Sequence, residues 1–437
     1  MLSINNRQVI GILSDTLSEV DPRLINHGKR VAYLMFKILE PKGLFDDKSL
    51  RDVCLLAMLH DIGAYKTEEI DEMVLFETTN IWEHSIYGYL FLKYLSPLRD
   101  LAPVMLFHHA KRSEISNLDP TLTMLSQLVS LADTMDIYHT FSRPMAQLYD
   151  SLEKWRDIYY SSEVIDMLLE SKVDLDTVFD SMGSDEEFDR ILYEVPLKEE
   201  ESIEYISMIA YSIDFRSAQT VVHTVATASA ACYLARLSGA DKKELLQVRV
   251  GALLHDLGKI STPLSILESP NRLSEDEMDI MRHHVAVSDK ILRGNISDAI
   301  RNIAVNHHEK LNGLGYPKKL SADNLAYYDR VLAVSDIFSA LWGTRSYKKA
   351  YPKDRIIGIL EKMAEDGALD TGIVSLVIEN FDDMVETLNR ESQPLVEIYK
   401  NLSSEGLYIY SQIEIYMDEV QKYWNQELPP LSLDFNF

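Results

Sequence analysis

Apolar residues recur at three- and four-residue spacing along almost the whole chain, and strict apolar–polar alternation is scarce. That pattern predicts an all-α protein. Helix punctuation agrees: in LSEDEMDIMRHH, Ser274 stands as an N-cap with Glu277 three residues on, a capping box ahead of an apolar stripe. The longest uncharged stretch, Ser217 to Ala235, is long enough to cross a bilayer. His, Gln, Ser and Thr run through it, so a buried helix of a globular protein is expected instead. Near the C-terminus, YIYSQIEIYMDEVQKYW carries aromatic residues at helical spacing, which favours core packing or a homodimer seam over a ligand site.

Superimposed on the helical pattern is an internal repeat. The order His, His-Asp, His, His-His, Asp occurs first as His27, His60-Asp61, His84, His108-His109 and Asp133. It occurs again as His223, His255-Asp256, His284, His307-His308 and Asp336. Ten of the twelve histidines occupy these slots, leaving only His139 and His283 outside. One histidine on an apolar helix is usually a satisfied core or surface residue, but ten in matching order are poorly explained that way. With 437 residues, more than one core is expected. The repeat divides the chain into a first copy (1–145), an acidic helical linker (146–205), a second copy (206–365) and a helical extension (366–437).

Composition narrows the partners. The formal net charge of −26 opposes a nucleic-acid polymer or an anionic membrane, and a phosphate-bearing substrate would need local cations to overcome that field. Cys54 and Cys232 lie in apolar helical patterns and suggest no disulfide framework. The N-terminus lacks the basic start and apolar run of a signal peptide, so a cytoplasmic location is expected.

Imidazoles combined with carboxylates suit divalent first-row metals, and the lack of cysteine in the repeated slots disfavours a structural zinc site. Five histidines and two aspartates exceed what one ion needs, so two ions are expected. Asp256 has two oxygens and can bridge them while His255 binds one. Consecutive helical residues point about 100° apart, so His307 and His308 can share a centre only if the helix end bends, which the glycines behind them allow. Lys259, three residues beyond Asp256, lies on the same face if the helix persists, and can meet a phosphate. A bridged metal pair lowers the pKa of a shared water toward neutrality and yields hydroxide for attack on phosphorus.

The His…His-Asp…Asp frame resembles the HD phosphohydrolase superfamily, and the second copy resembles its HD-GYP family of cyclic dinucleotide phosphodiesterases. HDLGKISTPLSIL, LSEDEMDIMRHHVAVSDKIL, HHEKLNGLGYPKKL and VLAVSDIFSALWGTRSYKKAY match that family's successive motifs over roughly residues 220–352. The resemblance implies two tandem HD-type helical domains, the C-terminal one HD-GYP, and a centre of two, sometimes three, ions, often iron or manganese. Carried over one residue at a time, His223, His255, Asp256, His284, His307, His308 and Asp336 are the ligands, with Asp256 bridging. Lys259 contacts the scissile phosphate; Gly313, Tyr316 and Pro317 shape the substrate wall; Arg345 and Lys348 hold phosphates. The implied reaction is hydrolysis of a cyclic dinucleotide, cyclic di-GMP or 3',3'-cyclic GMP-AMP, to a linear 5'-phosphorylated product.

The chain departs from the family pattern at Asn312, where Asp is usual, and at Ser288, where Gly is usual. Both bear on substrate preference or rate rather than on ligation. Three-metal members carry an acidic residue where this chain has Gln219, so two metals are expected. The first copy keeps every ligand type, which predicts a second metal site at His27, His60, Asp61, His84, His108, His109 and Asp133. It has Ala64 in the lysine position, with Lys66 two residues later, and HHAKRSEISNLDP contains no glycine turn. Two other readings remain: a general HD nucleotide phosphohydrolase of 5'-nucleotidase type, which suits the first copy better, and a non-catalytic cyclic dinucleotide receptor or scaffold.

Overall fold

The computed structural model describes residues 4–19, 26–64, 82–115, 118–142, 145–174, 177–217, 220, 222–343 and 351–424. These residues are helical with intervening turns, and no β-strand occurs among them. The three-and-four spacing is therefore borne out. Two compact units emerge, one centred on residues 21–198 and the other on residues 199–400.

Within the first unit, the repeated slots fall on five helices: α1 (His27–Leu39), α2 (Asp47–Met58), α3 (Trp82–Leu95), α4 (Ala102–Phe107) and α5 (Pro120–Thr140). The second unit carries them on, or just beyond the ends of, α6 (His223–Leu237), α7 (Lys242–Leu254), α8 (Glu275–Arg282), α9 (His284–Leu292), α10 (Asp298–Val305) and α11 (Tyr327–Trp342). In the first unit α1 packs on α2 and α5; in the second α6 packs on α7 and α11. The first helix buries Val31, Leu34, Met35 and Ile38, whereas α6 buries Ala226, Ala230, Ala231 and Leu234. Within the uncharged stretch, residues 223–235 lie on a largely buried helix, and no described helix is long and apolar enough to cross a membrane.

Helix starts are fixed by side chains that accept the orphan amide protons of the first turn. Asp46 accepts from Ser49 N and Asp119 from Thr121 N. Asp241 with Glu244 and Ser274 with Glu277 form complete capping boxes, the second where the sequence places it. The acidic stretch after residue 181 is only partly a solvated face. It buries Phe188, Ile191 and Leu192, and the Phe188 ring lies 5.0 Å from that of Tyr33 and 5.3 Å from that of Phe36. The C-terminal helix Phe381–Trp424 buries Met384, Leu388, Leu395, Leu402, Ile409 and Ile413 and exposes Leu407 and Tyr408.

Most ligand slots sit at helix ends. His27 and His223 open their helices; His60, His255, His108 and His307 lie just past helix ends; only Asp133 and Asp336 occupy helix interiors. After each His-Asp pair the chain turns against the helix that bears the third histidine. A Cβ on Gly63 would lie 1.9 Å from the carbonyl oxygen of His84, and one on Gly258 equally close to that of His284. Ser288, in place of the usual glycine, fits here: its hydroxyl accepts from Gly258 N at 2.8 Å and donates to the His255 carbonyl at 3.2 Å. A Gly258→Ala variant is expected to lose roughly 1–3 kcal/mol or more of stability from this overpacking, read from denaturant unfolding; an unchanged midpoint would contradict the close approach.

Candidate metal centre

In the second unit the helix ends bring all seven expected ligands into one buried cluster. Asp256 is central. Its Oδ2 lies 3.5 Å from His223 Nε2 and 3.1 Å from His255 Nε2, while Oδ1 lies 3.4 Å from His284 Nε2 and 3.8 Å from His307 Nε2. One carboxylate therefore faces two sets of imidazoles, the arrangement a bridging ligand requires. Asp336 closes the cluster, with Oδ1 at 3.0 Å from His223 Nε2 and Oδ2 at 3.8 Å from His308 Nδ1. The ligand atoms form two groups with metal-site spacing, one of His223, His255 and Asp256 and one of His284, His307 and His308. The helix does end before the adjacent pair, at Val305, and both histidines lie in the following turn.

The tautomers are set by backbone geometry. The Nδ1 atoms of His255, His284 and His307 donate to the carbonyls three residues earlier, of Ala252, Met281 and Ala304, at 2.6–2.7 Å. A carbonyl can only accept, so each Nδ1 carries a proton and each Nε2 is aimed into the cluster, where in the neutral imidazole it is the lone pair that can ligate. Burial drives the imidazoles of His284 and His307 down in pKa, and that of His308 to about 3. Burial acts the same way on His223, but hydrogen bonds to Asp256 and Asp336 outweigh it and raise its imidazole to about 9. Burial alone would raise the Asp256 carboxyl, but its neighbours His255 and Lys259 hold it well below the usual range.

These groups fit a divalent cation. His255 Nε2 and Asp256 Oδ1 are buried with no hydrogen-bond partner among the described residues, and neutral imidazoles beside ionised carboxylates are the forms that bind metal.

The first unit reproduces the ligand arrangement. His27 Nε2 lies 3.2 Å from His60 Nε2, 3.5 Å from Asp61 Oδ2 and 3.3 Å from Asp133 Oδ1. His84, His108 and His109 form a second group, with 3.0 Å between the Nε2 atoms of His84 and His109. His60 and His108 again donate from Nδ1 to the third carbonyl back, of Ala57 and Met105. Buried His108 Nε2 has no hydrogen-bond partner among the described residues. The carboxylates of Asp61 and Asp133 overcome the effect of burial on His60 and raise it to about 10, while burial lowers His84 and His109 to about 4.

Beside the second-unit cluster is a cavity of about 280 Å³ lined by Lys259, Tyr316, Met281, Ala226, Ser339 and Gly343 among others. Lys259 reaches it from a 3-10 turn, Leu257–Ser261, because α7 has already ended; the expected helical continuation is replaced by a tighter turn that keeps the three-residue spacing. Its Nζ pairs with Asp256 Oδ2. Gly313, at φ 73°, and Pro317, after a cis peptide bond, lie in the turn that presents Tyr316, whose ring lies 4.7 Å from that of His308. Arg345, Lys348, Gln219 and Lys66 lie outside the described residues.

Several positioning residues carry no sequence assignment. Buried Glu309 accepts from Lys318 N at 2.7 Å and Leu320 N at 2.9 Å, closing the glycine turn onto the histidine pair. Buried Arg216 donates to the carbonyls of Lys259 (2.7 Å) and Ile260 (2.8 Å), fixing the turn after the His-Asp pair. Asp214 accepts from Thr224 N at 3.1 Å at the start of α6, and burial pushes its carboxyl up to about 6. Glu309 follows the histidine pair directly, a proximity that could have flagged it; Arg216 and Asp214 leave no comparable signal.

Family models described as HD domain match residues 206–373 and 24–139. The chain is 24% identical over 404 residues to 3'3'-cGAMP-specific phosphodiesterase 1 of Vibrio cholerae, covering 86% of this chain and 92% of that protein. It is 33% identical to 3'3'-cGAMP-specific phosphodiesterase 2 of the same organism (45% of this chain, 38% of that one). It is also 33% identical to a cyclic di-GMP phosphodiesterase response regulator of Xanthomonas campestris (39% and 46%). The chain thus spans nearly all of the first relative and less than half of the other two. A crystal structure of a cyclic GMP-AMP specific phosphodiesterase of V. cholerae shares the fold, with a TM-score of 0.52 at 17% identity, over 89% of this chain and 98% of that one.

Metal binding must displace the protons that His223 and His60 hold below about 9 and about 10. Affinity is therefore expected to rise with pH through the neutral range, with proton release on binding. Calorimetric metal titrations in buffers of different ionisation enthalpy would check this; pH-independent binding without proton release would contradict it.

Proposed function

The chain belongs to the HD domain family, in its HD-GYP branch, and from that membership we propose that its C-terminal domain is a metal-dependent phosphodiesterase acting on a cyclic dinucleotide. Cyclic di-GMP and 3',3'-cyclic GMP-AMP are the candidate substrates, since relatives named for each are similar to this chain. The observation that carries the reading is the complete seven-ligand cluster opening on a cavity lined by Lys259 and Tyr316.

Two divalent ions, iron or manganese, would be held by His223, His255, Asp256, His284, His307, His308 and Asp336. Such a centre supplies Lewis acidity that activates water and offsets charge on phosphorus. Water adds to one phosphorus, the bond to the 3'-oxygen breaks, and that oxygen takes up a proton, leaving a linear dinucleotide with a 5'-phosphate. Asp256 orients both ligand groups. Lys259 places a cation at the cavity wall, where it meets a phosphate oxygen. Tyr316 offers an aromatic face to a base, and the Arg282 guanidinium, 5.9 Å from that ring, adds positive charge to a strongly acidic chain. The first domain would bind metal at His27, His60, Asp61, His84, His108, His109 and Asp133. A cytoplasmic location is part of the same proposal.

The direct test incubates metal-defined protein with a panel of cyclic dinucleotides and follows linear products by chromatography; tight binding without turnover would favour a receptor instead. Asp256→Ala is expected to abolish turnover and lower metal content in the C-terminal domain, and unchanged hydrolysis would refute the site. Asp61→Ala should leave cleavage largely intact, so its complete loss would overturn the division of labour. Glu309→Ala should keep its metal yet lose turnover by roughly 10²-fold through displacement of the Tyr316 turn, as measured by paired metal analysis and kinetics.

A further inference from the structure

The two copies correspond position by position along their first and last core helices. His27 matches His223 and Asp133 matches Asp336, so Arg30 stands in the place of Ala226, three residues beyond the histidine. By the same count Asp136, Ile137 and Thr140 stand in the places of Ser339, Ala340 and Gly343. All four C-terminal counterparts are small and line the cavity beside the metal cluster. Their N-terminal equivalents are long or branched, and three of them bond to one another.

Arg30 donates through Nε to Asp136 Oδ1, through Nη2 to Asp136 Oδ2 at 2.8 Å, and through Nη2 to Thr140 Oγ1 at 2.8 Å. The Asp136 side chain is fully buried, and its Oδ2 accepts from His27 Nδ1 at 2.7 Å. At the matching point of the C-terminal domain Ser339 Oγ lies 3.4 Å from His223 Nδ1 and is engaged by Thr227 at 2.6 Å. A charged carboxylate behind a ligating imidazole fixes its tautomer and raises its basicity more than a shared hydroxyl does. The N-terminal domain also has buried Ala64 where the C-terminal domain has Lys259.

We propose that the Arg30–Asp136 pair makes the N-terminal cluster a metal centre closed to dinucleotides. The carboxylate braces His27 for the metal, and the guanidinium, held in turn by Asp136 and Thr140, occupies the wall that small residues leave open in the other copy. The closure rests on the reading of the C-terminal cavity as the dinucleotide site; the bracing of the metal does not.

The test uses full-length protein carrying Asp256→Ala, so that metal retained is read mainly from the N-terminal centre. This protein is expected to keep metal that a further Asp61→Ala removes, and any cyclic di-GMP or 3',3'-cyclic GMP-AMP that it binds in equilibrium dialysis is expected to remain bound after that change. Absence of that metal, or dinucleotide binding that Asp61→Ala abolishes, would overturn the proposal. Adding Asp136→Asn, which keeps an oxygen for His27 but removes the charge, should weaken the retained metal by about 10–100-fold; unchanged affinity would refute the bracing role. Adding Arg30→Ala should speed extraction of that metal by a chelator, and an unchanged rate would refute the closure. Failure of the unsubstituted protein to hydrolyse any cyclic dinucleotide would sink the phosphodiesterase reading alone, because the metal measurements do not depend on turnover.

Discussion

A buried carboxylate shared between two sets of imidazoles organises the C-terminal domain. Asp256 is almost wholly removed from water, a position that an ionised group can hold only with compensating charge close by. His223 and His255 face one oxygen, His284 and His307 the other, and Lys259 adds a cation. Bringing these groups to one point requires several helices to end there. The short turn after α7 allows it, because Gly258 lets the His284 carbonyl approach more closely than any side chain would permit.

The same constraint explains the uniformity of the histidines. A ring just beyond a helix end finds a carbonyl of the last turn three residues back, and donating Nδ1–H to it adds a side-chain bond at the helix terminus. One hydrogen bond thereby caps the helix and orients Nε2 toward the cluster. Stability and the inward aim of Nε2 come from the same contact, which accounts for histidines placed at helix ends rather than along helix faces.

The two copies share this frame and diverge at its rim. The C-terminal domain surrounds its cluster with small residues, a lysine and a glycine turn clamped by Glu309, and the cluster is open on a cavity. The N-terminal domain replaces the small residues with an ion pair bonded to its first histidine. The two copies thus share the clustered histidines and aspartates and differ in the residues around them.

Much of this was legible along the chain. The helical class follows from spacing alone, and the fourteen clustered residues follow from the repeated order of rare side chains, since histidine and aspartate in matching slots are hard to explain by packing. The bend at His307 and His308 was inferable because adjacent residues on a straight helix diverge. Lys259 was placed on the right neighbour, Asp256, but by the three-residue reach of a 3-10 turn instead of a continued helix. Arg30 and Asp136 lie 106 residues apart, and neither stands out in a chain rich in charge. Arg216 and Asp214 likewise act on backbone groups of distant or differently oriented segments. Local sequence thus determined which side chains could ligate and where helices would stop, because those depend on residue type and short-range spacing. Which centre is open, and what holds its walls, was decided by tertiary structure, because only packing brings distant helices close enough for a guanidinium, a carboxylate and an imidazole to share hydrogen bonds.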